Sequence, residues 1–125
     1  RPTIRAVGAE PEGARDAHDS LASGTRITGR PTHTLCDGLR AELGPLTFAI
    51  LRERLDAILL AEEAEIIAAM RLTWERLKVV IEPSCAVPLA VILRHRAQFA
   101  GRRVGVILSG GNVDLDALPW LPAQA

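Results

Sequence analysis

The chain has 125 residues, with fifteen Lys plus Arg against fifteen Asp plus Glu for a formal net charge of zero, and its hydrophobic share is 48% against a charged share of 24%. That length suits one domain, because two would each be starved of core, and the composition is that of a folding chain. The charge balance removes the whole-molecule field on which phosphate-backbone binding relies, so nucleic acid is excluded as a partner.

In chain order, residues 4–9 alternate apolar and small side chains and predict a strand, which enters a loop at Glu10-Pro11-Glu12-Gly13. A short polar helix is expected over 14–21, ended by Ser23-Gly24. The turn-rich stretch 25–34, with Gly29, Pro31 and His33, reads as a surface connection, and Asp37-Gly38 lies where it meets the next element. Gly44-Pro45 puts proline in the first turn of an apolar-periodic helix carrying Leu46, Phe48, Ile50, Leu51 and Leu55. Ala57-Ile58-Leu59-Leu60 is a short apolar run and a candidate buried strand.

Glu62, Glu63 and Glu65 supply an acidic first turn to a strong helix, with Ile66, Ile67, Met70, Trp74 and Leu77 at spacings of three and four. Arg71, Glu75 and Lys78 follow its polar side, and Lys78 stands four residues before Glu82, the spacing of a solvated ion pair. Pro83 begins another helix, buried from Cys85 to Leu93 despite Pro88. Val104-Gly105-Val106-Ile107-Leu108 is the clearest strand pattern in the chain, and Ser109-Gly110-Gly111-Asn112 leads from it into a helix start at 113–116. The tail 119–125 reads as loose, with Trp120 tucked down. Strands alternating with helices predict an α/β fold with parallel pairing.

No apolar run approaches the roughly 18 residues needed to cross a bilayer, and the first residues lack the pattern of a cleaved leader, so a soluble, unexported, cytoplasmic protein without a membrane partner is expected. Cys36 and Cys85 sit singly in apolar or helical stretches, which suits buried free thiols in a reducing compartment.

Three passages bear on chemistry. Ligands in open α/β sheets sit at the carboxyl ends of strands, and glycines let them approach the backbone, so the 109–112 turn is either a ligand site or a plain turn with Asn112 capping a helix. It lacks the lysine of a Walker loop and the third glycine of a dinucleotide fingerprint. Glu10 and Asp16, six residues apart in a loop with backbone carbonyls between them, either offer oxygens to Mg2+ or Ca2+ or favour the start of the short helix. Fourteen of the fifteen basic residues are Arg, so any lysine chemistry falls to Lys78. His18, His33 and His95 stand too far apart in sequence to support a zinc cluster, and no Ser, His and Asp motif of a hydrolase is present.

Four ordered blocks carry a resemblance: Val7-Gly8-Ala9-Glu10-Pro11-Glu12-Gly13-Ala14; Thr34-Leu35-Cys36-Asp37-Gly38-Leu39-Arg40; Trp74-Glu75-Arg76-Leu77-Lys78-Val79-Val80-Ile81-Glu82-Pro83-Ser84; and Gly105-Val106-Ile107-Leu108-Ser109-Gly110-Gly111-Asn112-Val113-Asp114-Leu115. In these the chain resembles pyridoxal phosphate-dependent enzymes of fold type II, in the serine and threonine dehydratase and serine racemase group. The match covers about the last two fifths of a family chain. Residues 1–121 would then be the C-terminal part of that tryptophan synthase beta-like fold and 122–125 a loose tail. The blocks that hold the family's Schiff-base lysine and its cofactor-phosphate loop have no counterpart here, so no catalytic residue is assigned.

The resemblance implies that Ser109 donates its hydroxyl to the pyridine nitrogen of pyridoxal phosphate, that Gly110 belongs to the same contact, that Gly38 lines the substrate side, and that Glu82 lies near the ring. It also implies a divalent-metal site, for Mg2+ or Ca2+, at Glu10, the carbonyl of Ala14, and Asp16. The implied activity is a 3-hydroxyamino acid ammonia-lyase acting on a serine, threonine or 3-hydroxyaspartate type substrate. An amino-acid racemase and a non-catalytic fragment are the alternatives. The implied partners are the small amino-acid substrate, the remainder of the parent enzyme, and a second copy in a homodimer. Cys36 and Cys85 stand where small residues are usual in the family and Pro88 where Ala is common, changes that either reshape the pocket or repack the core.

Overall fold

Two short apolar segments set the frame. In the computed structural model, which describes residues 3–121, β1 (Val7–Pro11) pairs in parallel with β2 (Ala57–Ala61) in the register Val7 to Ala57 through Pro11 to Ala61. Asp56 fixes the start of that register: its amide donates to the Ala6 carbonyl at 2.9 Å, and its Oδ2 accepts the Ala6 amide at 2.9 Å. Parallel strands need a long crossover, here supplied by α1 (Asp16–Ser23) and α2 (Pro45–Arg54). Gly24, at φ 72°, closes α1 in the left-handed conformation that glycine adopts without steric cost.

After β2 the chain forms α3 (Glu63–Leu77), α4 (Pro83–Arg94) and the single turn α5 (Arg96–Phe99). A capping box starts α3: Glu62 and Glu65 each use a carboxylate to accept the other end's backbone N–H. Arg94, at the end of α4, donates to Glu65 at 2.9 Å and Glu62 at 3.2 Å, and also pairs with Glu12 at 3.2 Å. The core lies between α3 and α4, where Ile66, Met70, Ile81, Val87 and Val91 are fully or almost fully buried with Cys36, Cys85, Ala61, Ala69, Ala86 and Ala90. Pro88 sits inside α4 and removes the amide that would have reached the Ser84 carbonyl, yet the helix runs through it. Trp74 donates its indole N–H to the Ile81 carbonyl at 3.0 Å and meets Trp120 edge to face, with centroids 5.4 Å apart, so Trp120 is indeed tucked down.

The α/β class, the parallel pairing and the helix starts at Pro45 and Pro83 match the sequence reading. Several expectations need correction. The first strand runs Val7–Pro11 rather than 4–9. Residues 104–108 are extended but form no ladder, because no strand among the described residues lies beside them to share their amides and carbonyls; Ile107 is 81% exposed. The expected helix at 113–116 is a turn: the Asp114 side chain accepts the Asp116 amide at 2.9 Å and its carbonyl accepts the Ala117 amide at 3.3 Å. Aspartate thereby offers its backbone an alternative to the helix, and Pro119 follows. The apolar pattern of α2 buries no residue, Leu46 being 74% exposed. Lys78 forms no ion pair with Glu82 among the described residues; at φ 58° it terminates α3 in the left-handed region, so Glu82 no longer lies one helical turn away. The expected loose tail 122–125 lies outside the described residues.

Truncating the core should be costly where the exposed periodic helix is not. Met70→Ala is expected to lower unfolding stability by about 2–5 kcal/mol, whereas Leu46→Ala should change it by no more than about 0.5 kcal/mol, as read by denaturant titration.

Candidate functional site

The 109–112 turn is seated on the first turn of α4. Glu82, the residue before Pro83, donates its amide to the Gly110 carbonyl at 3.1 Å, and its Oε2 accepts the Asn112 amide at 2.9 Å. One turn further into the helix, Cys85 Sγ accepts the amides of Ser109 at 2.8 Å and Gly110 at 3.1 Å. A Cβ at Gly110 would overlap the Glu82 carboxylate and push it off the Asn112 amide, and a Cβ on Gly111 would come 3.1 Å from the Val80 carbonyl. Asn112 thus serves the turn through its backbone, and no helix follows for it to cap.

Gly38 approaches the same helix end from the other side, on the 3-10 turn Asp37–Leu39. A Cβ on it would lie 3.1 Å from Ser84 Oγ and 3.9 Å from Glu82 Oε1. The structure therefore gathers Gly38, Glu82 and Gly110 around one carboxylate, with Ser109 exposed beside them. Ser84 Oγ is buried there with no hydrogen-bond partner among the described residues. Sequence reasoning did not single out Ser84, and took Cys85 as a buried thiol and a departure from the family pattern, with no role in holding the turn. The available signal was position: side chains at the start of a helix point back over its N-terminal turn, which is where Ser84 and Cys85 stand after Pro83.

The acidic loop forms a separate group between β1 and α1. Glu10 Oε2 accepts the His18 amide at 2.8 Å and Oε1 the Ala17 amide at 3.3 Å. The Ala17 and His18 amides stand in the first turn of α1, where helix amides have no intrahelical partner, and Glu10 satisfies both. Buried Asp16 accepts the Leu43 amide at 3.0 Å. Burial raises the Glu10 pKa above the ordinary carboxylate value and the negative charge of Asp16 adds to the rise, while the two amides oppose it. Asp19, three residues on, has the opposite fate. His18 Nδ1 at 2.9 Å, then Arg30 and Arg15, hold its carboxyl well below the usual range. A cleft of about 320 Å³ opens over this loop, lined by Ala14, Asp16, Arg30, His33, Arg40 and Glu42 among others.

No group of three or more His, Cys, Asp or Glu suited to a metal occurs among the described residues. The set expected from the sequence has two carboxylates and a carbonyl, and the structure puts Glu10 and Asp16 close enough for their charges to interact. The histidines do not converge: His18 faces Asp19, His95 Nε2 lies 3.2 Å from the Leu60 carbonyl, and His33 is exposed. Cys36 and Cys85 are both buried and free, and burial pushes the Cys36 thiol up to about 11.

Comparison with known proteins places this geometry. A family model described as pyridoxal-phosphate dependent enzyme matches residues 1–110. The beta-hydroxyaspartate dehydratase of Paracoccus denitrificans (strain Pd 1222) is 49% identical over 119 residues, 95% of this chain and 38% of that protein. The serine racemase of Arabidopsis thaliana is 45% identical over 123 residues, 94% of this chain and 37% of that protein. Among solved structures, maize serine racemase superposes with a TM-score of 0.87 at 44% identity, covering 92% of this chain and 37% of that one. The chain thus spans less than two fifths of the length of the relatives it matches.

Proposed function

The chain belongs to the pyridoxal-phosphate dependent enzyme family, in the fold type II group of dehydratases and racemases, and from that premise we propose that it forms the C-terminal part of an ammonia-lyase that eliminates water from a 3-hydroxyamino acid. The products would be a 2-oxo acid and ammonia. The observation that carries this reading is the 109–112 turn, held against Glu82 and Cys85 with Gly38 across the same carboxylate.

The residues present fit pyridoxal phosphate. Glycines stand where a side chain would crowd Glu82, at Gly110, and Ser84, at Gly38, and an exposed hydroxyl stands at the start of the turn. Ser109 would hold the pyridine nitrogen, Gly110 the adjoining edge, Glu82 the neighbourhood of the ring, and Gly38 the substrate side. When bound, the cofactor supplies an electron sink for the carbanion left by loss of the substrate Cα proton. The Ser109 hydroxyl is neutral and donates a hydrogen bond without fully protonating the nitrogen. That weaker polarisation favours expulsion of a β-hydroxyl over transamination. Glu82, tied through Oε2 to the Asn112 amide and through its own amide to the Gly110 carbonyl, holds the part of the turn beyond Ser109.

The dehydratase reading draws on the 49% identity to the Paracoccus enzyme, and the racemase reading on the maize and Arabidopsis likenesses. Both begin with loss of the Cα proton and differ in whether a β-group leaves. Lys78, the sole lysine, ends α3 at φ 58° and is not assigned the Schiff-base role. The remainder of the parent enzyme and a second copy in a homodimer are the proposed partners, with the cytoplasm as location. No helix among the described residues is long and apolar enough to cross a membrane.

The complete reading frame, expressed with pyridoxal phosphate, should release 2-oxo acid and ammonia from 3-hydroxyaspartate, serine or threonine. Ser109→Ala should lower turnover by about tenfold, the upper worth of one lost hydrogen bond between neutral groups. The 125-residue chain alone should release none, in keeping with a fragment that lacks the Schiff-base lysine. Inversion of serine or aspartate without keto acid would favour the racemase, and no turnover of any of these amino acids would overturn the reading.

We further propose that Glu10, the Ala14 carbonyl and Asp16 bind Mg2+ or Ca2+, hard cations that take oxygen ligands. Support comes from the placement of Glu10 and Asp16 close enough for their charges to interact in a partly buried loop, where burial first and the Asp16 charge second raise the Glu10 pKa and a cation would relieve both. The folded state holds the Glu10 proton more tightly than the unfolded chain. Stability from this group is therefore full below the ordinary carboxylate value and falls as pH rises through the raised one. Millimolar Mg2+ or Ca2+ should offset that fall and raise Tm at neutral pH. Asp16→Asn, which keeps an acceptor for the Leu43 amide, should abolish the rise, and Asp19→Asn should leave it intact. A Tm indifferent to both ions, or an equal response in the two variants, would contradict the site.

A further inference from the structure

We propose that Cys85 is the positioning residue of the Ser109 turn, with its sulfur acting as the hydrogen-bond acceptor that sets where the Ser109 hydroxyl points. The inference rests on the proposed function for the identity of what Ser109 faces, and on geometry alone for how the turn is held. Residues 104–108 have no ladder partner among the described residues, so nothing upstream fixes the turn through strand pairing. Four hydrogen bonds hold its backbone, two from Glu82 and two at Cys85 Sγ.

The two bonds from Glu82 fix Gly110 and Asn112, beyond the serine. Among the described residues only the sulfur reaches the Ser109 amide, and it takes the Gly110 amide as well. Thiol sulfur is a weak acceptor, but two amides converging on it from consecutive residues define a plane for the peptide between them. Cys85 is itself fixed, since it is buried in the α3–α4 core and its own amide donates to the Glu82 carbonyl at 3.1 Å. The position thus links the helix, the core and the turn. A residue without an acceptor there would leave the Ser109 amide with no partner in the protein.

Two substitutions separate acceptor from filler. Cys85→Val fills the space but accepts nothing, and Cys85→Ser accepts but is smaller. In the complete enzyme, amide hydrogen exchange at Ser109 and Gly110 should accelerate about tenfold in Cys85→Val, the factor that one net hydrogen bond supplies, and stay within about threefold of the parent in Cys85→Ser. Exchange at Ala69 and Met70 in α3 serves as the control and should not change in Cys85→Val. In the holoenzyme, the absorption band of bound cofactor should shift in Cys85→Val in the direction produced by Ser109→Ala, and return in Cys85→Ser. Slow exchange at both amides in Cys85→Val, or rescue by valine rather than serine, would overturn the proposal and make Cys85 a packing residue. If exchange behaves as expected but the band stays fixed in both Cys85→Val and Ser109→Ala, the role of Cys85 stands and the Ser109 contact of the proposed function fails.

Discussion

The first turn of α4 is the constraint on which the site depends. Glu82 and Cys85 supply the hydrogen bonds that hold the 109–112 backbone, and the Glu82 carboxylate fills the space that a side chain on Gly110 would need. That turn is in turn fixed by the core. Trp74, on α3, donates to the Ile81 carbonyl immediately before Glu82, and Trp120 packs edge-on against the same indole. Met70 and Ile66 bury against Val87 and Val91 behind it. A chain of contacts therefore runs from the apolar seam between two helices to an exposed serine hydroxyl, and rigidity in the seam becomes direction at the site.

The acidic loop follows a different physical logic. Asp19 is surrounded by His18, Arg15 and Arg30 and stays ionised far into acid, a charge already compensated by its own neighbours. Glu10 and Asp16 share a partly buried loop in which Glu10 accepts hydrogen bonds from the backbone amides of Ala17 and His18. Asp19 thus completes an ion-paired cluster, whereas Glu10 and Asp16 are satisfied by backbone amides and are the pair for which a cation is proposed.

Much of the fold was legible because local rules and tertiary packing agreed. Pro45 and Pro83 marked helix starts, Gly24 marked a helix end, and the Ile66 and Met70 spacing marked a buried face. The failures came where a pattern needed a partner that it could not name. Val104 to Leu108 has strand-forming side chains but no neighbouring strand among the described residues, and the acidic residues after Asn112 made a side-chain turn instead of a helix. At the site, Ser109, Gly110, Gly38 and Glu82 were identified through family resemblance and are brought to one helix end. Cys85 was visible as a departure from that resemblance, but its role was not, because two amides meeting one sulfur is a relation between segments 24 and 25 residues apart.

The central claim is that the α4 end aims Ser109 at the nitrogen of the cofactor ring. A crystal structure of the holoenzyme from the complete reading frame tests it most directly. The account predicts Ser109 Oγ within hydrogen-bond distance of the pyridine nitrogen, about 2.7–3.2 Å, with both Cys85 contacts retained. A ring nitrogen faced by a different side chain, or a Ser109 hydroxyl turned away from it, would contradict the account.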